Sequence, residues 1–271
     1  MVEAFCEPLP CRVTLAMLGL DIDYHLLAEP LHAVSYAEPG TEEHAKGALG
    51  VAEAYKSIEA EIDARIENPG DDMISQLLTY KDDEGWSPSR DEVLSMTRMT
   101  LSGGFDTVFA ALSSILVLLD ERRDLRAQLI DEPELIPTAI EEFLRFNSPV
   151  QGLARTVTKA CTVGDQPLEP GQVVFALGAS ANRDERVFEN PDELVLDRTP
   201  NRHMSFGIGP HRCLGAAIAR AELRIALSAI LTNMPDYEVV KEGVEYPRSI
   251  GIIAGVTRVP IRFTPRDHMV G

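Results

Sequence analysis

Cysteine is scarce in this chain. Its 271 residues hold only Cys6, Cys11, Cys161 and Cys213, and no two are spaced C-x-x-C. That pattern suggests neither a zinc site nor a disulfide framework, and it suits a reducing cytoplasm. Positive charge is also in the minority: the formal net charge of −18 argues against nucleic acid as a partner. The start, Met1-Val2-Glu3-Ala4, lacks the basic-then-apolar order of a secretory leader. An uninterrupted apolar run is missing too. Residues 99–119 are long enough to cross a bilayer, but Asp106 and several serines and threonines break them up. A buried helix of a soluble protein accounts for that stretch better than a membrane span. There is no internal repeat and no low-complexity linker.

What is present is enough apolar material, 45% of the residues, for one large core or two modest ones. Residues 5–66 read as several helices, with breaks at Pro30 and Pro39-Gly40 and an amphipathic helix at 48–66. A short helix is expected over about 71–81. Ser89-Arg90-Asp91-Glu92 reads as a capping box that opens a long helix at about 89–120. Further helices are expected at about 122–131, 135–147 and 214–233. Strand patterns occupy 156–163 and 172–177, and short ones Ile250-Gly251-Ile252-Ile253 and Val259-Pro260-Ile261. The expectation is a mainly α chain with a minor β portion, organised as a single domain over 1–271.

Three constellations carry chemistry. In Phe206-Gly207-Ile208-Gly209-Pro210-His211-Arg212-Cys213-Leu214-Gly215, one cysteine lies among glycines, beside basic residues, just before a helix. Basic neighbours and a helix N-terminus favour the thiolate, the form that binds metal. Gly209 and Gly215 leave room for something flat and large, and Phe206 can shield the sulfur. For Cys213 taken alone, a buried structural cysteine is the better reading. Second, Glu142 and Arg145 stand three apart on a helix and can pair, before Asn147-Ser148-Pro149 stops it. Third, Gly103-Gly104-Phe105-Asp106-Thr107 puts two glycines and an acid inside the long helix, whose continuation 108–119 is almost wholly apolar. Each glycine costs roughly 1 kcal/mol there relative to alanine, and a buried acid needs a partner. These choices suggest a functional kink; a helix crossing that needs small residues explains them equally well.

Together these residues resemble the cytochrome P450 family, the haem-thiolate monooxygenases. Phe206, Gly209, Cys213 and Gly215 match its cysteine loop, F-x-x-G-x-x-x-C-x-G. Glu142 and Arg145 match its glutamate–arginine pair, and Arg198 takes the place of the second arginine that completes that network. The family more often has Phe-Asp where this chain has Leu194-Val195. Gly103-Gly104-Phe105-Asp106-Thr107-Val108 resembles the distal helix, in a form similar to the camphor-hydroxylating bacterial branch.

The resemblance implies a mainly helical fold that lacks the family's N-terminal part. It implies haem b, with Cys213 as the iron ligand, Arg155 and His211 facing its propionates, and His203 as a weaker candidate. Asp106 and Thr107 would manage protons on the distal side, and Phe105, Gly103, Gln151, Ile252 and Ile253 would line the pocket. It also implies O2, a small hydrophobic substrate such as a terpenoid, and electrons from NAD(P)H through a reductase and ferredoxin. Arg202, Arg212, Arg220 and Arg224 would offer the ferredoxin a basic face. Trp86, in Gly85-Trp86-Ser87-Pro88, cannot stand in for the tryptophan of the absent front part. Without that part, weak haem retention and self-association are expected. Two other readings stay open: a haem-binding fragment without turnover, and a helical interaction module with a structural cysteine.

Overall fold

The computed structural model describes residues 1–247 and 252–265. After a π-helical turn at Val2–Cys6 come α1 (Pro8–Leu18), α2 (His25–Tyr36), α3 (Glu42–Glu67), α4 (Met73–Thr79), α5 (Arg90–Glu121), α6 (Arg123–Asp131) and α7 (Ile136–Asn147). A strand-rich stretch follows: β1 (Leu153–Thr156), β2 (Cys161–Val163), β3 (Gln166–Leu168) and β4 (Val173–Ala176), then the short α8 (Gly178–Ala181). The chain then runs without helix or strand to a single 3-10 turn at Gly209–His211, before α9 (Ala216–Asn233), β5 (Glu238–Val239) and β6 (Ile261–Arg262).

α5 is the beam of the structure. Ser89 accepts the Glu92 N–H while the Glu92 carboxylate accepts the Ser89 N–H, so the capping box is complete. At 32 residues it is about 48 Å long. Its first half, with Leu101 and Phe105, packs into a core built with α1 to α4 around Leu27, Ile58, Ile62 and Ile74. Its second half, with Phe109, Leu112, Leu116 and Leu119, enters another core with α7, α9 and Tyr237. Burial in this second core accounts for the apolar run over 108–119.

The helical elements follow the sequence expectations with instructive differences. α3 begins at Glu42, where Thr41 caps it by accepting the His44 N–H. Gly47 and Gly50 lie within it because α2 crosses there. A β-carbon on Gly47 would meet Ala33 Cβ at 2.7 Å, and one on Gly50 would meet Pro30 Cγ at 2.9 Å. Pro30 therefore does not break the chain; it sits inside α2 and packs against α3. Nor do Gly103 and Gly104 break α5, which stays helical through both.

Among the described residues the β portion is three separate antiparallel pairs: β1 with β4, β2 with β3, and β5 with β6. The expected strand at 156–163 is the end of β1 and all of β2, with a non-strand stretch between. β3 pairs back on β2 through a turn in which Gly164 has φ +58°. In the tail, Ile253 bridges Val150 and Ile261 opens β6; Ile250 and Gly251 lie outside the described residues.

Candidate active site

The cysteine loop closes on itself. The Cys213 N–H donates to the Phe206 carbonyl at 2.8 Å, and Gly207 and Gly209 take φ values of +67° and +69°. A side chain at either position would be strained. Gly215 is different: its φ is −78°, and a β-carbon would only touch Cys213 Sγ at 3.9 Å. Cys213 is exposed, which excludes the buried structural cysteine. The surface around it in sequence is apolar, with Ile208 and Leu214 standing 68% and 87% exposed. His211 and Arg212 are exposed as well. Arg155 projects from β1, opposite Val174 of β4, and its Nη1 donates only to the adjacent Ala154 carbonyl among the described residues.

Behind the loop lies a buried polar frame. Arg145 and Glu142, both fully buried, form a two-pronged pair: Nε to Oε2 and Nη2 to Oε1, each 2.8 Å. Arg145 also donates to the carbonyls of Asn182, Pro191 and Glu193. Arg198 Nε lies 3.1 and 3.0 Å from the two Glu142 oxygens, and its Nη1 reaches the Glu189 carbonyl. The Val195 N–H and Asn201 Nδ2 complete the glutamate's shell. Burial alone raises the Glu142 carboxyl, but its donors outweigh burial and hold it below the ordinary range. The structure thus brings Glu142, Arg145 and Arg198 together.

A second clasp, not anticipated from the sequence, sits beside it. Glu141 receives Arg220 Nε and Nη2 at 2.6 and 2.7 Å, and His203 Nε2 lies at 3.0 Å. Against the cost of burial, these donors pull the Glu141 carboxyl down to about 2. Arg220 also stacks over Phe206, 4.3 Å from its ring centre. His203, 3% exposed, is therefore a structural partner of Glu141 and does not face the loop's exterior. Likewise Arg220 is a tie between α9 and α7, leaving Arg202, Arg212 and Arg224 as the exposed members of the basic group. Buried Asn182 links the frame to the loop: it donates to Ser148 and Ser205 and accepts the Met204 N–H. The adjacent acids of α7 and the arginine of α9 were visible in the sequence, but only folding shows that they meet.

On α5 the expected proton pair is not a pair. Thr107 is half-buried, and its hydroxyl donates to the Gly103 carbonyl at 2.8 Å. Asp106 is 2% exposed and turns to α2, where Ser35 Oγ donates to it at 2.5 Å and His32 Nε2 lies 2.9 Å away. The two glycines also part company. A β-carbon on Gly104 would collide with Thr14 of α1, whereas one on Gly103 would meet nothing within 4 Å.

Of the other pocket candidates, Phe105 is fully buried among α1 to α4 and is core. Gln151 is stitched into the backbone, its side chain donating to the Ser148 carbonyl and its N–H to Ile252. Ile253 packs on the core, and Ile252 is half exposed.

A mainly helical chain with an exposed cysteine on a closed glycine loop, backed by a buried glutamate–arginine frame, has the form of a haem-thiolate protein. The family model for cytochrome P450 matches residues 49–239. The chain is 38% identical over 250 residues to cytochrome P450 130 of Mycobacterium tuberculosis, covering 90% of this chain and 61% of that protein. It is 36% identical over 239 residues to the mycinamicin IV hydroxylase/epoxidase of Micromonospora griseorubida, covering 87% and 59%. Its fold matches the cytochrome P450 PksS of Bacillus subtilis with a TM-score of 0.88 at 31% identity, over 97% of this chain and 68% of that one. The chain belongs to the cytochrome P450 family. These relatives are bacterial members of types other than camphor hydroxylases, and the chain spans about six-tenths of the length of the first two.

The residues present fit the family's haem b. A thiol stands clear of the core, flanked by exposed apolar side chains and two exposed basic ones, and Gly103 leaves an open patch on α5.

Proposed function

We propose that this chain carries the haem-thiolate centre of a monooxygenase that inserts one oxygen atom of O2 into a small apolar substrate. The observation that carries this reading is the exposure of Cys213 on a closed loop in which its N–H donates to the Phe206 carbonyl. Bound haem would supply O2 activation at an iron whose thiolate ligand favours O–O cleavage. Cys213 would be that ligand. Arg155 and His211 would hold the propionates, and Phe206, fixed under Arg220, would keep water from the sulfur. Gly103 keeps one face of α5 low, and the Thr107 hydroxyl next to it would orient water for proton delivery. Arg202, Arg212 and Arg224 are exposed and would meet an acidic ferredoxin that brings electrons from NAD(P)H. The likeness of 103–108 to the camphor-hydroxylating branch favours a terpenoid-sized substrate.

A second reading, haem binding without turnover, is favoured by the exposed apolar residues of the β1–β4 region. Leu153, Val173, Phe175 and Leu177 are 43–67% exposed, and such surface promotes association in place of a closed pocket.

One set of measurements separates these readings. Haem is added to the purified chain and a carbon monoxide difference spectrum is recorded for it and for Cys213→Ala. A thiolate-type band that Cys213→Ala abolishes supports the ligand assignment; no band, or an unchanged one, refutes it. Product formed with a ferredoxin system and small terpenoids then supports the monooxygenase. Haem uptake without product supports the second reading. A chain that takes up no haem while remaining folded would favour a helical interaction module.

A further inference from the structure

His32 stands between two acids. Its Nε2 lies 2.9 Å from Asp106 Oδ1 on α5, and its Nδ1 lies 4.0 Å from Glu7 Oε1, just ahead of α1. The Nε2 approach is a close charge contact and not a well-aligned hydrogen bond. An imidazole carries a proton on both nitrogens only as the cation, so carboxylates on both sides select that form. The ring is held in place: it stacks on Phe109, with centres 5.1 Å apart, and meets Tyr36 edge-on at 5.7 Å. Its side chain keeps 22% exposure, so protons can reach it, whereas Asp106 is sealed.

We propose that His32, helped by Ser35, is a pH-sensitive clasp that docks α2 on α5 and positions Asp106 away from the Gly103–Thr107 face. The charged groups around the ring are Asp106 on α5, Glu7 beside α1 and Glu29 on α2 itself; Tyr36 and Cys11 are the other titratable neighbours of this cluster. Burial pushes the imidazole pKa down, but Asp106, Glu7 and Glu29 outweigh burial and hold it above its ordinary value. Glu7 is raised by burial, with His32 and His25 opposing. A histidine raised in the folded state stabilises fully below about 6.5, its ordinary pKa. That stabilisation disappears as pH rises through the folded midpoint. Above it, Glu7 and Asp106 face one another without the cation between them, and among the described residues Asp106 keeps the Ser35 hydroxyl. Neutral His32 thus loosens α2 at the point where α5 carries its acid.

The clasp joins α2 to α5 and to Glu7 at the head of α1. It is tested on the unloaded 271-residue chain, so failure to bind haem leaves it standing or falling by itself. Histidine-labelled protein is titrated by NMR, and amide exchange along α2, corrected for the intrinsic pH dependence, is followed over the same range. A His32 midpoint above 6.5, with exchange in α2 rising at least threefold through it, is expected. In Asp106→Asn the midpoint should fall by about one pH unit, a tenfold loss of proton affinity. If Asp106→Asn does not fold, His32→Gln serves, and it should remove the exchange step without altering exchange in α9. A wild-type midpoint at or below 6.5, or an exchange step that survives in His32→Gln, would overturn the clasp.

Discussion

Thr14 and Gly104 meet where α1 crosses α5. A β-carbon on Gly104 would come within 3.1 Å of Thr14 Cγ2 and nearer still to its hydroxyl oxygen, while the same atom on Gly103 would meet empty space. Two neighbouring glycines therefore do unlike things. Gly104→Ala overpacks a helix crossing and is expected to cost about 1–3 kcal/mol. Gly103→Ala improves helix propensity and is expected to stabilise by up to about 1 kcal/mol. Thr14→Ala removes the clashing atoms, so the double variant Thr14→Ala/Gly104→Ala should recover most of the loss in a double-mutant cycle followed by urea unfolding. Equal effects at 103 and 104 would contradict this geometry.

The Glu142 frame makes a second prediction. Deleting the carboxylate in Glu142→Ala leaves Arg145 buried with its charge uncompensated, a loss of roughly 3–5 kcal/mol. Glu142→Gln keeps one acceptor oxygen and should fall between. Denaturant midpoints of the two variants check the order. A loss below 1 kcal/mol for Glu142→Ala would mean the pair is solvated.

Acid stability should depend on Glu141. Its carboxyl is held at about 2 by Arg220 and His203 against an ordinary value of 4.5. A carboxylate depressed in the folded state stabilises above its unfolded pKa, and that contribution is lost as pH falls through the folded one. Melting temperature should therefore decline between pH 4.5 and 2, and more steeply in the wild type than in Glu141→Gln. Parallel curves would remove Glu141 from the account.

Glu222 gives the opposite sign. It is 7% exposed on α9, its Oε2 lacks a partner among the described residues, and burial pushes its pKa up to about 7. The folded chain prefers it protonated, so stability falls as pH rises from 4.5 to 7. Glu222→Gln should flatten that limb and leave the variant more stable than the wild type at pH 8. Thermal scans at pH 5 and 8 decide it; a wild type more stable than Glu222→Gln at pH 8 would show that Glu222 is paired or solvated.

How much of this was legible beforehand depended on distance along the chain. The cysteine loop is local, and its glycines announce turns that side chains resist, so ten residues sufficed to read it. Glu142 and Arg145 share a helix face by spacing alone. Ser89 and Glu92 mark a helix start by the same local logic. Pro30 misled because a proline usually ends a helix, and here it sits inside α2 and packs against Gly50 of α3. Asp106 could be read as buried but not as turned toward His32, since nothing in the sequence ties residue 32 to residue 106. The Glu141–Arg220 clasp was hidden for the same reason.

Arg145 has a consequence for variation. Between Asn182 and Ile208 the chain has neither helix nor strand. Its path is held by carbonyls of Asn182, Pro191 and Glu193 on one guanidinium and of Glu189 on another, both anchored by Glu142. Every residue type offers a carbonyl, so these four holds do not depend on which side chains stand at 182, 189, 191 and 193, although the side chains of Asn182, Asn201 and His203 tie the stretch down as well. At Val195, for example, Glu142 takes only the N–H, which any residue except proline provides. Substitution at 189, 191 and 193 thus leaves these holds in place, whereas loss of Glu142, Arg145 or Arg198 removes them.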